Sequence, residues 1–265
     1  MKLPEYEVYA IRYAHKESRR ADNFIGGDPH DGPMPMDYFV WVAVHNGKAV
    51  VIDTGFTAEV AKTRARNYLR CPVDSLKLLE LDGDEVEHVI ITHLHFDHVG
   101  NFFRYPKASL HLQEAEMAYS TGKHMRYPRL SRGIEIEDVV GMVRMVFKGR
   151  VAFHDGDAQI LPGISVHQLG GHTPGLQSVR IHTRRGWIIL ASDAAHYYEN
   201  LSTYRPFPNA TNMTDAISAM DTLRSLVDSD QYIIPGHDPE VMRRYPAVSS
   251  GLENIIVRLD VAPCE

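Results

Sequence analysis

Apolar residues along the chain fall into short runs separated by turn residues, a pattern typical of β-strands. In the first half the predicted strands are residues 7–14, 38–44, 48–55 and 86–92. In the second half they are GRVAFH, ISVHQLG, QSVRIHT, GWIILASD and QYIIPGH. The segment between the first two strands is rich in Gly, Pro and charge, which predicts a long loop.

Helical spacing of apolar residues appears between the strands. Residues 57–70 are predicted to form a helix capped by Thr57, and residues 215–227 a second one. Residues 101–150 are predicted to form an excursion with helical stretches near 113–119 and 136–145. This excursion either packs as ordinary core and surface helix or covers the substrate.

Both halves of the chain therefore supply apolar strands and helices. We expect an α/β fold in which two packed sheets are flanked by helices. A length of 265 residues is compatible with one layered unit, so residues 1–265 are expected to form a single domain.

The composition argues against nucleic acid and membranes as binding partners. The net charge of −6 provides no basic field for a polyanion, so no nucleic-acid partner is expected. No run reaches the ~18 apolar residues of a membrane span, and Pro4, Glu5 and Glu7 lie where a signal peptide would be apolar. A cytoplasmic protein without a membrane partner is expected. Cys71 and Cys264 suggest neither a disulfide framework nor a thiolate metal site.

The 15 histidines are unusual, and several of them crowd together in THLHFDH. Residues two apart in an extended segment point to the same side, so His93 and His95 can bind one ion. Asp97 and His98 follow where the chain turns into a helix predicted to begin near Val99, and they can face a second ion. Such a motif is expected by chance on the order of 0.003 times in this chain. A metal site is therefore predicted.

Three further side chains lie where strands give way to loops. GGHTPG contributes His172, IILASDAAH contributes Asp193, and IIPGHD contributes His237. One such residue alone is more often a cap or an ordinary polar residue. Three of them accompanying THLHFDH favour a shared metal centre.

In their order, THLHFDH, GGHTPG, ASDAAH and PGHD resemble the motifs of the metallo-β-lactamase superfamily over roughly residues 40–240. The resemblance implies a four-layer αββα sandwich with two mixed β-sheets. It also implies two divalent metal ions per chain, with zinc expected first and iron, manganese or cobalt as alternatives. One ion would be held by His93, His95 and His172 and the other by Asp97, His98 and His237, with Asp193 between them.

The same resemblance gives roles to other residues. Asp53 in DTG would be a buried support that orients a ligand histidine. Asp97 would both bind a metal and shuttle a proton. The expected reaction is attack of a metal-bridging hydroxide on an acyl carbonyl, which makes the protein a hydrolase.

Within the superfamily the chain most resembles the N-acyl homoserine lactonases, the quorum-quenching lactone hydrolases. A helical glutathione-binding region of the glyoxalase II-like thioesterases is not expected in the 28 residues after His237. A different carboxylic ester or thioester hydrolase remains the alternative, followed by a phosphodiesterase and a non-catalytic metal-binding module. A homodimer is a family-based expectation.

The substrate residues are less well defined. The lactonase family has a Tyr three residues after the shared Asp, where this chain has His196, followed by Tyr197. Either residue is a hydrogen-bond donor to the substrate or an ordinary packing residue. Met34, Met36, Tyr38 and Phe39 either line an apolar pocket for an acyl chain or pack beneath the long loop.

Overall fold

The computed structural model describes residues 2–264. Its strands are β1 (Glu7–Lys16), β2 (Met36–His45), β3 (Lys48–Ile52), β4 (Asn67–Tyr68), β5 (His88–Ile90), β6 (Ser109–Gln113), β7 (Val151–His154), β8 (Ala158–Leu161), β9 (Ile164–Gln168), β10 (Gln177–Thr183), β11 (Gly186–Ser192), β12 (Ile233–Pro235) and β13 (Ile256–Arg258).

The α-helices are α1 (Arg20–Asn23), α2 (Ala58–Thr63), α3 (Phe96–Val99), α4 (Glu114–Ser120), α5 (Pro128–Ser131), α6 (Ile136–Phe147), α7 (Tyr198–Thr203), α8 (Met213–Ser225) and α9 (Glu240–Arg244). Short 3-10 helices occupy Asp74–Leu79, Gly83–Glu85, Phe102–Arg104, Lys123–Arg126 and Asp230–Tyr232. Within residues 2–264, no helix combines the length and the apolar character needed to cross a bilayer.

The strands form two mixed sheets. The larger has the order β13-β1-β2-β3-β5-β6-β7, with β4 added beside β1, and the smaller has the order β12-β11-β10-β9-β8. In the larger sheet β1, β2 and β3 are antiparallel, whereas β3, β5, β6 and β7 run parallel. In the smaller sheet only β12 runs parallel to its neighbour.

Three apolar cores separate four layers. The central core packs one sheet against the other, with Trp41 and Ile52 from the larger sheet and Ile181 and Leu190 from the smaller. A second core lies on the outer face of the larger sheet and includes Met142 of α6, and a third packs α8 against the outer face of the smaller sheet. The αββα sandwich predicted from the sequence is confirmed.

Strand β2 shows why this sequence forms an inner strand. Alternate residues point to opposite faces of a strand. Tyr38, Val40 and Val42 join the outer core, whereas Phe39 and Trp41 join the central core. Both faces are apolar because both are covered.

Some predicted elements were wrong in extent. The helix expected over 57–70 ends at Thr63, because the chain turns at Ala65 with a positive φ of 51° and then forms β4 against β1. Its predicted cap is present, since Thr57 Oγ1 accepts the Val60 amide. The segment 101–150 is not wholly an excursion, because β6 pairs in the larger sheet.

Other elements gave no clear signal in the sequence. Strand β13 is three residues long and pairs antiparallel with β1, at the opposite end of the chain. Strand β8 forms an edge of the smaller sheet. Strand β13 is stabilised by a partner distant in the sequence, whereas β8 forms a hairpin with the adjacent β9, and in both the pairing matters more than the local pattern.

The central core predicts the effect of a truncation on stability. Ile181→Ala removes a fully buried side chain between the sheets and should lower the free energy of unfolding by about 2–5 kcal/mol. The matched control is Ile136→Ala on α6, where the isoleucine is 74% exposed and the expected change is under about 1 kcal/mol. Urea denaturation at a fixed metal concentration measures both, and equal losses would contradict this layer assignment.

Candidate metal centre

The predicted ligands lie in loops that follow the carboxyl ends of strands from both sheets. His93 follows β5, His172 follows β9, Asp193 follows β11 and His237 follows β12. Packing of the two sheets brings these loops to one edge of the sandwich. Residues distant in the sequence thereby meet in one buried cluster.

THLHFDH divides between an extended segment and a helix, as predicted, but the helix begins earlier than expected. His93 and His95 precede α3, whereas Asp97 and His98 lie within it. The change of backbone conformation at His95 turns the two pairs of side chains toward different neighbours.

The first group consists of three histidines facing each other and one carboxylate. Nδ1 of His95 lies 3.1 Å from Nε2 of His93 and 2.9 Å from Nε2 of His172. Oδ2 of Asp193 lies 3.1 Å from Nε2 of His172 and 3.7 Å from Nε2 of His93. These ring nitrogens are buried and close enough for one cation to contact them all.

Burial also sets the protonation of this group. It lowers the pKa of His95 to about 4 and the pKa values of His93 and His172 well below the ordinary value. The three imidazoles are therefore neutral near pH 7. Neutral imidazole is the form that binds a metal ion.

The second group consists of Asp97, His98 and His237. Oδ2 of Asp97 lies 3.7 Å from Nε2 of His98 and 3.8 Å from Nε2 of His237. Nε2 of His98 is buried, and it has no hydrogen-bond partner among the described residues. Oδ1 of Asp193 lies 3.2 Å from this nitrogen without forming a hydrogen bond to it, and a buried nitrogen that faces carboxylate oxygens in this way fits a metal position.

Asp53 holds His98 in the orientation that this second group needs. Its Oδ2 lies 2.7 Å from Nδ1 of His98 and also accepts the Thr92 hydroxyl, while Oδ1 accepts the Thr92 amide. The carboxylate therefore favours the proton on Nδ1 and leaves Nε2 free to face the cluster. Asp53 is fully buried and contacts His98 directly, and its role in supporting a metal stays a prediction.

Two other supports were not predicted. Nδ1 of His237 lies 2.9 Å from the Asp37 carbonyl oxygen, so it can donate there and leave Nε2 toward Asp193. The buried carboxylate of Glu116 accepts the amides of Leu94 and Gly175, at 2.9 and 3.1 Å. Glu116 thus ties the loop of His95 to the loop of His172. It lies in the first turn of a helix, and nothing in its local sequence marks this long-range role.

A cavity of about 380 Å³ opens onto both groups. Asp97, His196 and Tyr38 line it, as does Met36, one of the predicted pocket residues. Arg132 and Gly133 line it too, which brings part of the 101–150 segment over the site. The complete lining is Lys16, Met36, Tyr38, Arg64, Arg66, His95, Phe96, Asp97, Arg132, Gly133, His172, Asp193, His196, Phe207, Asn209 and His237.

His196 is part of this site. Its Nε2 lies 3.1 Å from Oδ2 of Asp193, and its ring stacks on Phe207 with centroids 3.9 Å apart. Nδ1 of His196 is buried without a hydrogen-bond partner among the described residues. The structure therefore places this imidazole next to the carboxylate of the first group, with which His196 and His237 also cluster.

Tyr197, Phe39 and Met34 do not line this cavity, and their surroundings favour the second of the two predicted alternatives, ordinary packing. The hydroxyl of Tyr197 accepts from Asn23 and donates to the Pro35 carbonyl, which fixes it away from the cluster. Phe39 points into the central core, because it follows Tyr38 on an alternating strand. Met34 packs beside Tyr197 around a separate depression.

The Metallo-beta-lactamase superfamily profile matches residues 34–237, which is more than half of the chain. The chain belongs to the metallo-β-lactamase superfamily. The matched range includes each of the residues in the two groups described above. This superfamily assignment agrees with the sandwich fold and with the resemblance identified from the sequence.

Relatives in sequence include N-acyl homoserine lactonases. An N-acyl homoserine lactonase from Bacillus sp is 28% identical over 173 residues, covering 64% of this chain and 63% of the relative. The chain thus spans somewhat less than two thirds of the length of that relative. The N-acyl homoserine lactonase AttM of Rhizobium radiobacter is 24% identical over 241 residues, covering 83% of this chain and 88% of the relative.

Solved structures share the fold. A quorum-quenching N-acyl homoserine lactone lactonase superposes with a TM-score of 0.76 at 21% identity, covering 91% of this chain and 95% of that one. AidC, a dizinc quorum-quenching lactonase solved with its product, gives a TM-score of 0.71 at 15% identity, covering 100% and 97%.

The Asp53 contacts predict a change in metal affinity. Asp53→Asn removes the charge that holds the proton on Nδ1 of His98, so affinity for zinc should fall about 10- to 100-fold. The matched control is Asp260→Asn, which removes a buried carboxylate paired with Arg258. Competition with a chelating dye measures both, and unchanged affinity in the Asp53 variant would refute the orienting role.

Proposed function

We propose that this protein is a dinuclear metal-dependent hydrolase that opens a lactone ring, with N-acyl homoserine lactones or a related lactone as substrate. The proposal combines the superfamily assignment with the geometry of the cluster. The named activity of the relatives points to the lactone, because both AttM and the Bacillus sp protein are N-acyl homoserine lactonases.

The observation that carries the proposal is the position of Asp193 between the two groups. Its Oδ1 lies 3.2 Å from Nε2 of His98 and 3.0 Å from Nε2 of His237. Its Oδ2 faces the other way, toward Nε2 of His172 at 3.1 Å. One carboxylate with each oxygen directed at a different set of nitrogens is suited to hold two ions side by side.

The residues fit two divalent ions. His93, His95 and His172 would hold one, Asp97, His98 and His237 the other, and Asp193 both. Histidine and carboxylate ligands suit zinc, and iron, manganese and cobalt are alternatives. When bound, such a pair lowers the pKa of water and polarises a carbonyl oxygen.

The residues of the chain supply positioning and proton transfer. Ring opening adds water across the ester bond, so that the acyl carbon gains the water oxygen and the ring oxygen leaves as an alcohol. A proton must move from the water to that leaving oxygen. Asp97 lines the cavity at the edge of the second group, so its carboxylate is placed to carry this proton.

His196 occupies the place of the lactonase family's Tyr. We propose that its Nε2–H donates to Oδ2 of Asp193, which steadies the shared carboxylate. Phe207 holds the ring from one side by stacking. In this arrangement Nδ1 of His196 is an acceptor and does not replace the phenol as a donor to the substrate.

A single-domain organisation, a homodimer and a cytoplasmic location also stay predictions. Light scattering of the purified protein tests the dimer. Limited proteolysis tests the single domain, because cleavage into two stable fragments would indicate two.

The activity predicts acid release from lactones. The zinc-loaded protein should release one equivalent of acid per molecule of N-hexanoyl homoserine lactone, measured in a pH-stat. The same assay with a thioester, an aryl ester and a bis-phosphodiester tests the alternative hydrolases. Turnover of only these other substrates would overturn the lactonase proposal.

The shared carboxylate predicts a joint loss of metal and turnover. Asp193→Asn should reduce bound metal from about two ions per chain and lower kcat at least about 100-fold. The control Asp157→Asn removes a surface carboxylate that also contacts a histidine, His167 at 2.8 Å, and should change neither. Elemental analysis and lactone kinetics measure the pair of variants, and full activity of the Asp193→Asn variant would refute the bridging role.

A further inference from the structure

Basic side chains crowd the cavity above the metal centre. Lys16, Arg64, Arg66 and Arg132 all line it, within a protein whose net charge is −6. They come from three parts of the chain, namely the end of β1, the segment after α2 and the segment after α5. Because the protein as a whole is acidic, its overall charge does not explain why four basic side chains meet in one cavity.

Arg64 is the member of this set that is neutralised by an ion pair. Its Nε lies 2.6 Å from Oε1 of Glu135, and its other nitrogens donate to the carbonyls of Arg132 and Ile134. Arg64 therefore serves to anchor the segment that carries Arg132. Within residues 2–264, Lys16, Arg66 and Arg132 form no ion pair with a carboxylate.

Arg66 is the most constrained of these three. It donates to the Arg64 carbonyl, and its guanidinium lies 5.7 Å from the ring centroid of Phe96. Its Nε is buried and has no hydrogen-bond partner among the described residues. Arg66 lines the cavity and has no carboxylate partner within residues 2–264, so an anion bound in the cavity would give its guanidinium a charged partner.

The three charges also act on each other. Burial and the neighbouring Arg66 lower the pKa of Lys16, and Arg132 lowers it further, while Asp22 and Asp97 oppose them from beyond ion-pair distance. Two divalent ions would balance the carboxylates of Asp53, Asp97 and Asp193, so the occupied metal centre would supply no negative charge to offset these cations. Lys16, Arg66 and Arg132 therefore keep positive charge in the cavity without an ion-pair partner among residues 2–264.

We propose that the substrate carries a negatively charged group, a carboxylate or a phosphate, which Arg66, Lys16 and Arg132 bind while the ester is placed at the metal centre. This inference rests on the proposed lactonase function and specifies the class of its substrate. An uncharged acyl chain would leave these cations without a partner. Met36, Phe96 and Phe207 line the cavity as well, so a short apolar linker can separate the charge from the ring.

Three lactones of matched length test the inference on the zinc-loaded protein. They are homoserine lactones acylated with a hexanoyl, a 5-carboxypentanoyl or a 5-phosphonopentanoyl group. We expect kcat/KM for at least one anionic substrate to exceed that for the neutral one by about tenfold or more, and this advantage to shrink in about 0.5 M salt. The ranking of carboxylate against phosphonate identifies the preferred anion.

Single substitutions test whether the substrate preference depends on the charge of these side chains or on the structure of the cavity. Arg66→Gln and Lys16→Gln should each lower kcat/KM more for the anionic substrate than for the neutral one, so that the ratio of the two values falls about fivefold or more. Arg66→Lys should retain part of the preference, because it keeps the charge. The control Lys62→Gln removes an exposed cation outside the cavity and should leave the preference unchanged. Lys16 forms no side-chain hydrogen bond within the described residues, so Lys16→Gln should fold normally. It therefore tests the role of positive charge even if the Arg66 variants fail to fold.

A binding measurement distinguishes failure of the anionic-substrate inference from failure of the lactonase proposal. Calorimetry on the zinc-loaded protein compares the ring-opened acids of the neutral and carboxylate substrates, which share the same metal-binding end. If no lactone is hydrolysed, the lactonase proposal is overturned, and tighter binding of the dianionic acid still supports the charge preference. Equal turnover and equal binding of neutral and anionic partners would overturn the inference.

Discussion

The carboxylate of Asp193 is the contact on which the centre depends. It lies where a largely buried strand of the smaller sheet ends, and its two oxygens face histidines that follow strands of both sheets. Burying a charge at such a position is costly unless partners surround it. The histidines supply those partners, and the packing of one sheet against the other is what brings them within reach.

The histidines of the cluster are oriented in turn by supporting residues outside it. Asp53 fixes the tautomer of His98, the Asp37 carbonyl does the same for His237, and Glu116 joins two ligand loops through their amides. Each support comes from a different part of the chain. The orientation of the clustered side chains therefore depends on several segments that meet at this edge of the sandwich. This explains why buried polar residues are concentrated there.

The wall of the cavity, which Lys16, Arg66 and Arg132 form, is chemically distinct from its floor, which is the histidine and aspartate cluster. Histidine and aspartate at the floor suit the hydrolysis of an acyl bond, a chemistry that fits many substrates. Arg66 and its basic neighbours on the wall favour a particular kind of substrate, since a guanidinium selects an anion over an uncharged chain. Reaction type and substrate class are thus encoded in separate sets of residues, and the fold alone specifies neither.

The sequence by itself determined the layer architecture and which histidines and aspartates meet in the buried cluster. THLHFDH, His172, Asp193 and His237 are local motifs at strand ends, and apolar runs that alternate with helices predict a layered fold. Only the tertiary structure decided which neighbours face the cavity. Phe39 points into the central core because adjacent side chains of a strand face opposite sides. Tyr197 is held away from the cavity by hydrogen bonds with Asn23 and the Pro35 carbonyl. The contacts of Glu116 and the unpaired charge of Arg66 depend on segments far apart in the chain, so no local pattern carries them.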